Sequence, residues 1–460
     1  MNLMVAGVLL YVVAQLFVGL AVSRGIRSES DYLLAGRRLG YPLAIFSIFA
    51  TWFGAETCVG AAGAVYRNGL EGGTADPFGY SGCLLLMGLV FAAALWRKGL
   101  TTLADLFRAR YSPGVERVVV LLMVPTSILW AAAQIRAFGQ VLSVSSGWSL
   151  TLTISIAAAV VIVYTTSGGL LADATTDLIQ GILLTLGLMV LLVAAVGALG
   201  GAAGAVRVLE GSRLDMFGLS KRPLLAVVEA WLVPIIGSVT AQELVSRVLA
   251  TRSPIVARRS TLVATGVYLT VGLIPVTLGL LGAALAPDLA DPEQVLPSLA
   301  RTHLHGVLYV LFAGALVSAI LSTVDSNLLS AASLVSHNLI LPFLPGASEA
   351  RKVRLARVGV VTAGLAAYGL AFSSAGVYQL VEDASAFGGA GVFVVMAFGL
   401  FTGFGGARTA HATLCVGMAL QLAGTYFGLV PYPFTVSFAA SLAVYLFVGA
   451  WETGRLRAVS

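Results

Sequence analysis

The residues whose chemistry fits their surroundings least run from Ser318 to Asn327, SAILSTVDSN, inside a stretch otherwise apolar enough to cross a bilayer. Positions 319, 322, 323, 326, 330 and 333 follow the i, i+3, i+4, i+7 spacing of one helix face, and all are Ala, Ser or Thr. Asp325 stands at the edge of that face, one turn from Ser322. Small residues alone would explain close helix packing, with each hydroxyl bonding back to its own helix. They do not explain an ionisable neighbour, because a carboxylate inside a membrane is costly and points to function. Such a face suits a small hard cation such as sodium, which takes several oxygen ligands, as Ca²⁺ and Mg²⁺ do. Ser322 and Thr323 supply two hydroxyls, so the other oxygens must come from elsewhere. Asp177, at the start of an earlier apolar stretch, is either a second acid of this kind or an interfacial one.

The elements that must position this face are two interrupted helices. Ala50-Thr51-Trp52-Phe53-Gly54-Ala55-Glu56-Thr57 puts a Gly and an acid at mid-membrane depth in the second stretch. Pro234, Gly237 and the polar run Ser238 to Glu243 do the same in the seventh. Gly and Pro are common in membrane helices, so one break alone says little. Two breaks in matching positions of two halves point to a transporter site, where unwound carbonyls hold a cation. Stretches two to six and seven to eleven then form two five-helix repeats, about 41–199 and 223–402.

Composition demands the membrane. Hydrophobic residues make up 58% of 460, against 10% charged, and apolar runs long enough to cross recur from end to end. They are continuous rather than alternating, so an all-α integral membrane protein is expected, not a barrel. Thirteen spans are predicted, near 3–22, 41–63, 77–96, 116–146, 149–166, 175–199, 223–249, 260–286, 303–341, 356–374, 377–402, 410–429 and 433–451. No soluble domain fits between them. The net charge of +6 does not mark a nucleic-acid binder, because Arg and Lys sit in short loops on alternate sides of the spans. Arg24, Arg27, Arg37 and Arg38 follow the first span and Arg351, Lys352, Arg354 and Arg357 follow the ninth. This predicts a multi-pass inner-membrane protein with its N-terminus outside and its C-terminus cytoplasmic. The 200–222 loop breaks the pattern with Arg207, Arg213, Lys221 and Arg222 on the outer side. The first span has no positive residue ahead of it and reads as retained rather than as a signal peptide. Cys58, Cys83 and Cys415 have no metal or redox spacing.

A solute pocket is expected between the two broken spans and the eleventh. Near it fall Trp52, Glu56, Thr57, Trp130, Gln134, Arg136, Gln242, Gln379, Glu382 and Asp383. Two aromatics and several acids suit an ammonium group, whereas a buried Arg136 is a natural carboxylate clamp unless it pairs internally with Glu56 or Glu229. A zwitterion would satisfy both.

Four landmarks in order and spacing make the chain resemble the sodium/solute symporter family over nearly its whole length. They are SDYLLAGRR at 30–38, TTSGGLLADATTDLIQ at 165–180, SRVLA at 246–250 and SAILSTVDSNLLSAAS from Ser318. The resemblance implies a LeuT-like fold, an inverted five-helix repeat with broken helices and extra helices at 3–22, 410–429 and 433–451. It implies a sodium site made by the carbonyls of Ala50, Phe53 and Ala319 with the hydroxyls of Ser322 and Thr323. Some members carry a second sodium site, whose matching positions here are Asp177, Asp325 and Ser326. The likeness is greatest to choline-type members, through the Ala-Thr-Trp ending at Trp52, the Trp-Ala-Ala-Ala run at Trp130 and the Asp-Ser after the hydroxyl pair. A third caging Trp of that branch falls at about Ala241, so the cage is incomplete.

The function expected is sodium-coupled symport of a small organic solute (amine, zwitterion or carboxylate), with the lipid bilayer and the solute as its partners and no obligate protein partner. The alternatives are a solute sensor that keeps the transporter fold and a proton-coupled symporter using Asp325. An enzyme is not expected: His303, His305, His337 and His411 lie near span ends, with no nucleophile-and-base grouping.

Overall fold

The computed structural model describes residues 26–459 other than 168, 220, 221, 374 and 375, together with Val13 and Phe17. Apart from these two, the expected span at 3–22 lies outside the described residues. The regular structure is helical, as it must be where no water satisfies backbone groups. Among the described residues the sole β feature is one isolated bridge, Leu39 with Thr251.

Helix α1 (Tyr41–Trp52) leads through a bend at Phe53 and Gly54 into a helical stretch ending in α2 (Ala62–Asn68). The chain then turns back, with Gly73 against the Val65 side chain, and enters α3 (Tyr80–Leu86). Three long helices complete the first half: α4 (Pro113–Ser146), α5 (Leu150–Ser167) and α6 (Leu170–Ala198). The second half opens with α7 (Leu224–Leu232) and α8 (Gln242–Leu249), followed by α9 (Pro254–Leu285), α10 (Gly306–Ser333) and α11 (Glu349–Ser373). It ends with α12 (Val377–Ala386) and α13 (Gly389–Phe401); α14 (Ala407–Phe427) and α15 (Pro433–Val459) pair with each other outside it. Local chemistry sets several of these starts. Ser112 and Ser253 each accept the backbone N–H three residues on, with Pro at the first helical position of α4 and α9.

Seven helices among the described residues are long and apolar enough to cross a membrane, nine if each of two bent pairs is one span. The thirteen spans predicted are not reached on that measure. Breaks are one reason, since α1 is by itself too short. The run Glu56–Arg97 also counts as one helix by length, although the chain reverses within it at residues 69–73.

The predicted break in the seventh span is present, where Ala241 is extended (φ −61°, ψ 124°) and the flanking segments meet at 49°. The eleventh span, expected to be continuous, bends by 42° between α12 and α13. The two bends touch backbone to backbone: a Cβ on Gly389 would stand 2.8 Å from Gly237 Cα. Two arginines of the discordant 200–222 loop are engaged by the first half. Arg213 donates to the carbonyls of Val65 (3.1 Å) and Tyr66 (2.6 Å), and Arg222 pairs with Glu71 at 2.6 Å. Both therefore have a partner in the first half, a helix end for Arg213 and an acid for Arg222.

Candidate cation and solute site

The site begins at the bend in α1. Phe53 leaves helical geometry (φ −95°, ψ 68°), so the ladder of backbone bonds is interrupted beside Trp52 and Gly54. Helix α10 lies against this bend, and Thr323 Oγ1 is 3.2 Å from the Ala50 carbonyl and 3.2 Å from the Ala319 carbonyl. The Thr323 hydroxyl has one hydrogen for two carbonyls, so it can satisfy the Ala50 carbonyl or the Ala319 carbonyl but not both. Everything here is buried: Thr323 is 0%, Ala50 2% and Ala319 2% exposed. A cluster of oxygens short of donors, shielded from water, suits a hard cation.

Ser322 faces another way. Its hydroxyl donates to Asp177, whose second carboxylate oxygen accepts from Ser47 at 2.7 Å. One residue along a helix is a rotation of about 100°, so Thr323 reaches the bend of α1 while Ser322 reaches α6. One turn on, Ser326 bonds the Asp173 carboxylate at 3.1 Å and also accepts from Arg247, which forms an ion pair with Asp173. Asp325 accepts from Thr165 on α5. Asp177, Asp325 and Ser326 thus occupy neighbouring but separate hydrogen-bond groups rather than one point. Three carboxylates with one guanidinium occupy this buried region.

On the solute side, Trp52 and Trp130 are in contact, ring centroids 5.5 Å apart, and Tyr80 closes the group at 5.1 Å from Trp52 and 5.8 Å from Trp130. Glu56 accepts from Gln134. Thr57 donates to Asp76 at 2.7 Å, and the Tyr268 hydroxyl lies 2.8 Å from Asp76 and 3.2 Å from the Trp52 carbonyl. Gln242 lines a cavity beside Trp130, together with Gly237, Ser238 and Ser385. Its amide also holds Leu103 N–H (2.9 Å) and the Ser246 hydroxyl (2.9 Å).

Two expected members stand apart. Arg136 is two residues, about 200° of helix rotation, from Gln134, and it donates to the Ala371 carbonyl of α11 at 3.1 Å. Its predicted internal partners are used otherwise: Glu229 accepts from the backbone N–H groups of Phe434 (2.8 Å) and Thr435 (2.7 Å). Gln379 is exposed, bonds Asp383 at 2.9 Å, and lines a cavity with Glu229, Glu382 and Gln421.

Sequence reasoning overlooked Tyr80, Asp76 and Tyr268, and it did not single out Asp173 and Arg247. An acid before a proline at the edge of an apolar run looks interfacial, and only the chain reversal at 69–73 buries Asp76. Asp173 and Arg247 lie within two of the landmark stretches, yet nothing local links them. The tertiary structure also joins the residue just after the first landmark to the third, since Leu39 N–H donates to the Ala250 carbonyl at 3.1 Å.

The chain is similar to known membrane transporters. The sodium:solute symporter family model matches residues 32–417. The high-affinity choline transporter 1 of Caenorhabditis elegans is 28% identical over 386 residues, covering 78% of this chain and 66% of that protein. The chain thus spans just under two thirds of that relative's length. The sodium/pantothenate symporter of Haemophilus influenzae is 28% identical over 338 residues, 70% of this chain and 68% of its own. Among solved structures, a Na⁺-coupled sialic acid symporter in a substrate-bound outward-open state superposes with a TM-score of 0.84 at 19% identity, covering 97% of this chain and 96% of that one. That likeness establishes the LeuT-like fold. With the family model spanning most of its length, the chain belongs to the sodium:solute symporter family.

Proposed function

We propose that this protein is a sodium-coupled symporter of a small organic solute, working by alternating access in the inner membrane, with its N-terminus outside and its C-terminus in the cytoplasm. One observation carries the reading: Thr323 of α10 meets the Ala50 carbonyl at the bend of α1. A cation bound between these two elements ties together parts of the two repeats, about 41–199 and 223–402, and so favours one of the states that the repeats exchange. Sodium is held in this reading by Ala50, Phe53, Ala319, Ser322 and Thr323, with Asp177, Asp325 and Ser326 as the candidate second cation group. The relatives named for choline, pantothenate and sialic acid differ in solute, so the solute here is inferred from the pocket itself. Trp52, Trp130 and Tyr80, with Glu56, Thr57 and Asp76 near them, suit an organic ammonium group. The bond from Arg136 to the Ala371 carbonyl weighs against a carboxylate clamp in this state.

The energetics are sufficient. One sodium ion crossing ~100 mV contributes about 2.3 kcal/mol, and a tenfold gradient adds about 1.4 kcal/mol. Together they support solute accumulation of several hundredfold. Uptake into proteoliposomes by a panel of labelled amines, zwitterions and carboxylates, with and without a sodium gradient, tests the reading. Sodium-driven accumulation of an amine is expected, and it should weaken in Ser322→Ala and Thr323→Ala. Binding without accumulation would support a sensor, and uptake that follows a proton gradient but ignores sodium would overturn the proposal.

A further inference from the structure

The ion site has an acidic neighbour that the family resemblance does not supply. A Cβ added to Gly54 would collide with Thr323 Oγ1 and would stand 2.9 Å from Gln134 Oε1 and 3.0 Å from Glu56 Oε2. Side-chain oxygens from three elements therefore converge on the α-carbon of Gly54, and only a glycine there leaves them room to approach one another. All three residues are at most 1% exposed. Gln134 is fixed in place, since its Oε1 accepts from the Ala55 N–H at 2.9 Å and its amide group donates to Glu56 Oε2. The other carboxylate oxygen, Glu56 Oε1, is buried as well, and the groups that reach this carboxylate, the Gln134 amide and the backbone N–H groups of Gly54 and Glu56, are all neutral. Among the described residues no Lys, Arg or His forms an ion pair with Glu56.

A buried carboxylate with no positive partner is expensive. Thr323, meanwhile, has one hydroxyl hydrogen for the Ala50 and Ala319 carbonyls. A single positive charge between the Thr323 hydroxyl and the Glu56 carboxylate, which both approach Gly54, would complete both groups at once.

We propose that Glu56, held by Gln134, is a carboxylate ligand of the sodium ion bound by Thr323, which makes this ion site anionic rather than neutral. The inference rests on the sodium-coupled reading above and deepens it. In that reading Glu56 faces the solute; here its charge serves the ion, and the aromatic group of Trp52, Trp130 and Tyr80 is left to hold the solute. The bend of α1 then contributes a charge as well as backbone carbonyls.

The test is binding of radiolabelled sodium to the purified full chain in the absence of any solute, with potassium as the balancing ion. Glu56→Gln keeps the shape and can still accept from Gln134, and its sodium Kd should rise by about tenfold or more. Glu56→Asp, which retains the charge, should lose less. In case Glu56→Gln does not fold, Gly54→Ala offers an independent reading, because its methyl group would press on the same oxygens and should weaken sodium binding. A Glu56→Gln protein that binds sodium as tightly as wild type overturns this inference alone and returns Glu56 to the solute. Wild-type protein that binds no sodium overturns both this inference and the proposed function.

Discussion

Arg247 and Asp173 form an ion pair in which each side chain is only 1% exposed, tying α8, just beyond the second helix break, to the start of α6. Ser326 of α10 bonds the same Asp173 carboxylate. The pair therefore joins three elements around the face that carries Ser322 and Thr323. Removing one member of a buried pair leaves an uncompensated charge and costs about 3–5 kcal/mol. Arg247→Ala and Asp173→Ala should each lower the thermal unfolding midpoint of the detergent-purified protein markedly. Replacing both at once should cost less than the sum of the two single losses.

Ser322 and Thr323 are adjacent, but their hydroxyls have different partners, so their variants should differ. Thr323→Ala removes the oxygen that meets the Ala50 carbonyl, and the sodium concentration for half-maximal uptake should rise by about tenfold or more. Thr323→Ser keeps that oxygen and should change it little. Ser322→Ala leaves Asp177 with its Ser47 bond, so part of the sodium dependence should survive. Sodium titrations of solute uptake distinguish these outcomes.

The aromatic group predicts selectivity. If the solute carries an ammonium group, Trp130→Ala should weaken its binding by roughly the 0.5–2 kcal/mol of a cation–π contact, and Trp130→Phe by less. Arg136→Ala should leave solute affinity close to wild type, because its guanidinium is engaged by the Ala371 carbonyl. Competition binding with an amine and a carboxylate separates the two effects. A loss of carboxylate binding in Arg136→Ala would show that this side chain swings into the pocket in another state.

Gly237 and Gly389 let the two bends of the second half meet at backbone distance. A methyl group on Gly389 would lie 2.8 Å from Gly237 Cα and 3.0 Å from its carbonyl oxygen. Gly389→Ala should therefore force the bends apart, with a cost of about 1–3 kcal/mol typical of overpacking. Transport should suffer more than sodium binding, which is proposed at the other broken helix. Parallel uptake and sodium-binding measurements on this variant check the separation.

The sequence alone determined whatever depends on residues close together in the chain. The face made by Ala319, Ser322, Thr323 and Ser326 was legible because helix periodicity is local. The breaks near Phe53 and Ala241 were legible because Gly, Pro and polar residues interrupt an apolar run. The bend between α12 and α13 was not expected, although Gly388 and Gly389 mark it.

Tertiary structure alone decided which oxygen meets which. Thr323 turns to Ala50, 273 residues away in the chain, while its neighbour Ser322 turns to Asp177, 145 residues away. Asp173 and Arg247, 74 residues apart, pair only when α6 and α8 pack together. Arg136, charged and close in sequence to Gln134, looked like part of the pocket, but helix rotation turned it toward α11. Periodicity tells which residues share a face; it carries no information about what that face will meet. Contacts between distant helices are set by packing the whole bundle, and the composition of the ion site is a property of that packing.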